Sequence, residues 1–353
     1  MAKPIIAVTM GDPGGIGPEI IIRTFRDLKF SERFYYLLIG TRAPFEYLNH
    51  KFHLDLPLHP IPTLEQSLLH SNCVNFLDVL DQSILILQKS LGQKHRHQVS
   101  RVVKNQEAHR VFERGRVSAV NAALAYTSFK VAVFQAVAGL VDAVVTAPVH
   151  KKAIQMIDNK FHGHTEYLAK WSGTKKFAMM FVSDRLKVTL ATIHIPLKKV
   201  HRILNQELIF EKIFLTNCFL RDRFKIFRPR LAVCALNPHG SETGDEESNI
   251  ILPAVRRAQR RKIQVDGPLS GDQVFHDVYQ GRFDAAISMY HDQGLAPFKM
   301  LSFRDGVNVT LGLPFVRTSP DHGTALDIAY QGNADPSSMK NALRLAERLV
   351  DRP

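Results

Sequence analysis

The sequence predicts an α/β protein built on a largely parallel sheet, and three observations carry that prediction. Short β-rich apolar runs alternate with longer helical patterns along the 353 residues. Several of these runs are apolar throughout, as in strands covered on both faces. The length fits two domains, or one large domain with a deep internal cleft.

The elements follow in order. Strands are expected at 5–10, 35–39, 143–146, 187–193, 231–235, 285–289 and 307–311, each a short β-branched or aromatic run ended by a turn or polar residue. Helices are expected at 18–28, opened by Pro18, and at 118–139 and 247–262. In the last segment Asp335 caps, Pro336 takes the first turn, and Met339, Leu343, Ala346 and Val350 line one face. No internal repeat or low-complexity linker interrupts the chain.

Composition narrows the class. With 45% apolar and 22% charged residues, general disorder is excluded. The net charge of +13 invites nucleic acid, a membrane surface or phosphorylated ligands, and is silent on fold. Cys73, Cys218 and Cys234 are odd in number and form no CxxC pair, so they read as small core hydrophobes in a reducing compartment. The opening residues lack the pattern of a signal peptide, and the apolar run 131–149 is broken by Gln135 and Asp142. A cytoplasmic protein is expected, with no membrane partner. Residues 89–116 carry Lys94, Arg96, Arg101, Lys104, Arg110, Arg114 and Arg116, with only Phe112 as a stacking platform. They read as a solvated excursion or interdomain helix, with a nucleic-acid arm as the alternative. The basic run 256–262 reads as one solvated helix face.

Four segments carry chemistry. Gly11 to Glu19 (GDPGGIGPE) is a glycine turn between strand and helix, either anion-facing or a purely structural tight turn. It lacks the third glycine of GxGxxG and the GK[ST] of a Walker loop. His150 and Lys151 follow a strand, where open α/β sheets collect ligands, or they are two solvated side chains at a turn. In GHTEY, Thr165 also reads as a helix N-cap beside His164. His194, His239 and His291 each stand at or just beyond a strand, 45 and 52 residues apart. They are either a divalent-metal trio or three independently satisfied histidines. Asp272 and Asp292 can orient a ligand or move a proton. Lys299, Asn308 and Arg317 form a polar row suited to phosphate or carboxylate, and the Asp321–Ala325 turn is expected to begin a helix with exposed amides.

Taken together, the runs AVTMGDPGGIGPEI, TAPVHKKAI, GHTEYLA, HIPLKKV, LNPHGSE, DGPLSGD, YHDQGLAPFK and VNVTLGLPFVRTSPDHGTALDIA resemble the 4-hydroxythreonine-4-phosphate dehydrogenase family of pyridoxal 5′-phosphate biosynthesis. They extend from residue 7 to 329. The resemblance implies two α/β/α lobes around a cleft, related to the isocitrate and isopropylmalate dehydrogenases and not to Rossmann enzymes. The expected division is 1–130 with 305–353, and 131–304. It implies a homodimer with a shared active site, the second lobe supplying most metal ligands and the dimer contact.

It further implies NAD or NADP as cofactor and one divalent ion (Zn, Mg, Co or Mn) on His194, His239 and His291. His164, Thr165, Lys299, Asn308 and Arg317 match substrate-binding positions. Lys151 and Asp272 match catalytic polar positions, and Asp321, His322, Gly323, Thr324 and Ala325 face the dinucleotide. The implied reaction oxidises 4-phosphooxy-L-threonine to a β-keto acid that decarboxylates to 3-amino-2-oxopropyl phosphate. Some relatives oxidise four-carbon sugar-acid phosphates such as threonate 4-phosphate, which is the alternative. Nucleic acid is not expected as a partner. The loop after His239, GSETGDEE, is shorter than the Gly-rich stretch expected in the family.

Overall fold

A computed structural model describes residues 3–65, 68–91 and 112–351. Most of the basic stretch, including Lys94, Arg96, Arg101, Lys104 and Arg110, lies outside the described residues. The chain divides into two compact units, one of residues 1–173 with 314–353 and one of residues 174–313.

In the first unit the strands are β1 (Ile5–Thr9), β2 (Tyr35–Gly40), β3 (Leu58–Pro60), β4 (Val74–Asp78), β5 (Ala143–Thr146) and the late-returning β12 (Val316–Pro320). They lie in the order β3-β4-β2-β1-β5-β12, and every pairing is parallel. The central strands β1 and β5 are buried residue by residue, which is why they read as unbroken apolar runs. The helices are α1 (Gly17–Arg26), α2 (Arg42–Phe52), α3 (Leu80–Leu91), α4 (Ala119–Val137), α5 (Lys151–Ile154), α6 (His164–Trp171) and α12 (Ser337–Val350). Ser118 caps α4 by accepting the Asn121 N–H. Asp335 accepts the Ser337 N–H at the start of α12, which buries Met339, Leu343, Ala346 and Val350 as expected.

The second unit holds β6 (Ala178–Val182), β7 (Lys187–Leu190), β8 (Arg230–Cys234), β9 (Gln264–Leu269), β10 (Ala285–Ser288) and β11 (Val307–Leu311). Their order is β11-β6-β7-β10-β8-β9. Here β6 is antiparallel to both neighbours, whereas β7, β10, β8 and β9 run parallel. The helices are α7 (Leu197–Ile203), α8 (Gln206–Asp222), α9 (Leu252–Arg260), α10 (Gly271–Tyr279) and α11 (His291–Ser302). The core joins Phe181, Val188, Leu190, Ala232, Cys234, Val274 and Phe298.

Three expectations are corrected. The first division falls after residue 173 and not after 130, because β5 pairs with β1 and β12 while α4 packs on that same sheet. Residues 305–313 belong to the second unit because β11 pairs with β6. The stretch 247–262 is a π-helical turn (Glu247–Ile251) followed by α9. Pro253 supplies no N–H for a continuous helix and instead occupies the first turn of the new one. Of the cysteines, Cys234 is a core residue as expected, while Cys73 and Cys218 are half-buried.

Candidate active site

Strands β1, β5 and β12 are adjacent and parallel, so the segments following them leave the sheet at the same carboxyl edge. These segments are the GDPGG turn, the 147–151 loop and the 321–325 turn. Arg317 lies on β12 and is 3% exposed, and its Nη2 donates to Thr146 Oγ1 at the end of β5 (2.6 Å). Burial lowers its pKa to about 9, partly offset by the Glu166 carboxylate. His164 opens α6, with its ring edge-on to Phe129 at a centroid distance of 4.5 Å. Its Nε2 is closed off from solvent and has no hydrogen-bond partner.

Burial holds the His164 imidazole neutral, its pKa well below the usual value, and the charges of Arg317 and Lys151 add to the effect. A nitrogen-detected NMR titration should therefore show this ring unchanged from pH 8 down to 5. The unfolded chain takes up a proton that the folded ring refuses, so this group's contribution to stability falls as pH drops through about 6.5. A His164 signal titrating near 6.5 would contradict the burial argument.

Lys151 starts α5, with its side chain passing beside Gly163. A β-carbon at that glycine would lie 3.7 Å from Lys151 Nζ and 3.0 Å from Glu166 Oε2. The first unit thus gathers Arg317, His164, Lys151 and Glu166, which sequence reasoning had not singled out. Thr165 is buried inside α6 and is not the cap, a position held by Gly163.

In the second unit, His194, His239 and His291 follow β7, β8 and β10, which are parallel and adjacent in the order β7-β10-β8. The rings of His194 and His291 face each other with centroids 5.7 Å apart. His291 Nδ1 lies 2.7 Å from Asp292 Oδ1; a carboxylate only accepts, so Nδ1 carries the proton and Nε2 keeps its lone pair. His239 is in the left-handed region (φ 57°) before a 3₁₀ turn, Gly240–Glu242. Its loop is anchored by the buried Glu247 carboxylate, which accepts the Leu236 and Asn237 N–H groups and the Asn237 amide. Nothing in the spacing pointed to Glu247.

The three imidazoles therefore share one sheet edge and have the donor chemistry of a borderline divalent ion. They do not converge as expected: among the described residues, no group of three or more His, Cys, Asp or Glu is arranged to hold a metal.

Asp272 stands exposed at the first turn of α10, accepting the Ser270 hydroxyl at 2.5 Å. That hydrogen bond lowers its pKa and makes it a weak base. Lys299 lies on α11 with Nζ 5.4 Å from the Phe303 ring centroid, and Asn308 lies on β11. Arg317, placed in one row with them by sequence, belongs to the other unit.

One turn reading changes, and the other is decided between its two alternatives. The 321–325 turn leads only into a short 3₁₀ element, Leu326–Ile328, with Ala325 left-handed (φ 40°), and so does not open a long helix. The GDPGG turn is structural: Gly14 N–H donates to Asp12 Oδ1, Gly15 N–H to Asp12 O and Ile16 N–H to Thr324 O, so these amides are engaged within the fold. The basic face at 256–262 is largely solvated, but Arg257 pairs with Glu207 and lies over the Phe210 ring at 4.0 Å.

Polar side chains gathered at the carboxyl edge of a parallel sheet, with a buried guanidinium beside a neutral imidazole, place the chain in the class of α/β enzymes. The chain matches the family described as pyridoxal phosphate biosynthetic protein PdxA over residues 60–346. It is 40% identical over 347 residues to a 4-hydroxythreonine-4-phosphate dehydrogenase of Desulforapulum autotrophicum, covering 98% of this chain and 95% of the other. It is 37% identical over 354 residues to a D-threonate 4-phosphate dehydrogenase of Pectobacterium atrosepticum, covering 98% and 99%. The crystal structure of a 4-hydroxythreonine-4-phosphate dehydrogenase from Klebsiella pneumoniae superposes with a TM-score of 0.82 at 34% identity, covering 99% of this chain and all of the other. The chain belongs to the PdxA family and is an oxidoreductase of the dehydrogenase type. Among the described residues, no helix is long and apolar enough to cross a membrane.

Proposed function

We propose that the protein oxidises 4-phosphooxy-L-threonine with NAD or NADP, giving a β-keto acid that decarboxylates to 3-amino-2-oxopropyl phosphate. The observation that carries this reading is the buried Arg317 guanidinium beside the neutral His164, a cation placed where a phosphate dianion would relieve its desolvation. His164, Thr165 and Arg317 bind the phosphorylated substrate, with Lys299 and Asn308 binding its remaining polar groups. His164 meets an acceptor oxygen as the Nε2–H tautomer, since a neutral ring presents one donor. Lys151 is favoured over Asp272 as the group that receives the hydroxyl proton, because Asp272 is held as a weak base. A lysine acting so must first shed its own proton.

His194, His239 and His291 would hold a divalent ion, and residues 321–325 would face the dinucleotide. When bound, the dinucleotide supplies the hydride acceptor and the ion a Lewis acid for the reacting oxygen and for the charge that develops as CO₂ departs. The same reading includes a cytoplasmic homodimer whose active site is shared, with the second unit carrying the dimer contact. It also includes kinship of the fold with isocitrate and isopropylmalate dehydrogenases.

The deciding assay follows nicotinamide reduction at 340 nm with 4-phosphooxy-L-threonine and, separately, D-threonate 4-phosphate. The proposal expects kcat/KM at least tenfold higher with the amino-acid phosphate. The reverse order would reassign the substrate to the sugar-acid phosphate, and turnover of neither would overturn the reading.

A further inference from the structure

The His164 ring is seated by packing and not by a hydrogen bond at Nε2. The imidazole lies edge-on to Phe129 of α4 (4.5 Å between centroids) and to Phe161 (6.4 Å), and Nε2 has no partner. Where the ring sits therefore depends on how closely α4 and α6 approach and on where Phe161 lies. A second contact between the two helices stands one turn from the first. Asp158 Oδ2 accepts the Tyr167 hydroxyl at 2.6 Å and the Tyr126 hydroxyl at 3.1 Å. Tyr126 precedes Phe129 by three residues on α4, and Tyr167 follows His164 by three on α6, so each pair shares a helix face.

Asp158 is itself fixed in the loop between Lys151 and His164. Its N–H donates to Ile154 O (2.9 Å) at the end of α5, and its carbonyl accepts the Phe161 N–H (3.0 Å). Phe161 in turn packs against Tyr167 (4.9 Å between centroids), which closes the circuit around the His164 ring. Burial pushes the Asp158 carboxyl up, but the Tyr167 hydroxyl, the Lys160 N–H and the Tyr126 hydroxyl outweigh it and hold the group below its usual range. Burial and this same carboxylate raise both phenols, so they remain donors. Hydrogen bonds to an ionised acceptor are stronger than neutral ones, so this oxygen is a firm joint.

We infer that Asp158 is a positioning residue for His164: one carboxylate oxygen, shared by Tyr126 and Tyr167, sets the spacing of α4 and α6 that seats the imidazole against Phe129. Its part in the reaction rests on the proposed contact of His164 with the phosphorylated substrate, whereas the seating of the ring does not. A general brace between helices would shift the melting temperature and leave the ring where it is. A seating group governs whether water reaches the ring. Removing a carboxylate near an imidazole disfavours the charged ring and lowers its pKa, so a rise on removal of Asp158 reports lost burial and not lost charge.

Two measurements test the inference. The His164 ring is read by nitrogen-detected NMR in the unsubstituted protein and in Asp158→Ala. The unsubstituted ring should stay neutral from about pH 8 to 5, and in the variant it should titrate with a midpoint above about 5. A ring that stays neutral in the variant would overturn the inference, whatever the enzyme acts on. Should Asp158→Ala not fold, Tyr167→Phe, which keeps the aromatic ring and removes one of the two bonds, is read in the same way. In the nicotinamide-reduction assay, Asp158→Ala should raise KM for the phosphorylated substrate about tenfold with kcat within about threefold, and Asp158→Asn, which keeps an acceptor oxygen, should fall between. A lower melting temperature with KM unchanged would make Asp158 a brace only and overturn the inference. Turnover of neither candidate phosphate by the unsubstituted protein would count against the proposed reaction, and the NMR comparison would then decide alone.

Discussion

Replacing Arg317 with methionine should lower kcat/KM for the phosphorylated substrate by roughly two to three orders of magnitude while leaving the fold at least as resistant to heat. The two effects have one cause. The Arg317 guanidinium is 3% exposed and has given up its hydration, with Thr146 Oγ1 accepting from Nη2 and Glu166 attracting its charge. Its pKa falls from 12.5 to about 9, so between those values the unfolded chain binds more protons than the folded one, and stability rises with pH. At neutral pH the whole cost of the buried charge is therefore present. Methionine has similar length and no charge, so the cost disappears with it. A phosphate dianion loses two charge-assisted hydrogen bonds in the variant, each worth about 1.5–3 kcal/mol.

The check is thermal unfolding with and without inorganic phosphate. At about a hundred times its dissociation constant, a ligand stabilises by about 2.7 kcal/mol, a shift that the unsubstituted protein should show and Arg317→Met should not. An equal phosphate response in both proteins would remove Arg317 from the phosphate site.

Local spacing does not bring Arg317 near His164, which is 153 residues away (317 minus 164); only the family resemblance grouped them, and the pairing of β12 with β5 helps to bring their segments together. What was legible were the features that local sequence determines. Strands β1, β2, β5, β10 and β11 were found to within a residue or so; β1, β5 and β10 are buried along their whole length and have little polar alternation to confuse. Strands β3, β4, β6, β9 and β12 were missed: β3 is only three residues long, and Asn75 puts a polar residue inside β4, where it hydrogen-bonds Tyr36 O and the backbone of His70.

At the site, histidines following parallel strands pointed to one edge of a sheet, and the structure places all three there. Glu247 and Glu166 escaped for a common reason: each matters by where its carboxylate is folded to, and a lone carboxylate within a loop or helix has no sequence pattern that reports its position.

Alanine at His194, His239 or His291, one at a time, should reduce metal-dependent dehydrogenase activity by more than a hundredfold. The bound metal, measured by elemental analysis after gel filtration, should fall in parallel. Losing the hydrogen-bond partner of a ligating histidine costs about 10–100-fold in metal affinity or activity, and losing the ligand itself should exceed that range. Asp292→Asn supplies the lesser step: it weakens the acceptor that keeps the proton on His291 Nδ1 and should fall within 10–100-fold.

His194 and His239 follow β7 and β8 outside long helices and are exposed, whereas His291 opens α11, so truncating the first two should change folding stability by no more than about 0.5 kcal/mol. A loss of activity therefore cannot be assigned to unfolding if the melting temperature is unchanged. The graded order, ligand above partner, separates ligation from mere proximity: three independently satisfied histidines would give small, unrelated effects, and Asp292→Asn would give none. His239 is the sharpest of the three, because it stands apart from the facing pair in the isolated chain. Full activity of His239→Ala after chelation would sink the metal assignment, whereas a loss matching that of His194→Ala would mean that the set closes in the working enzyme.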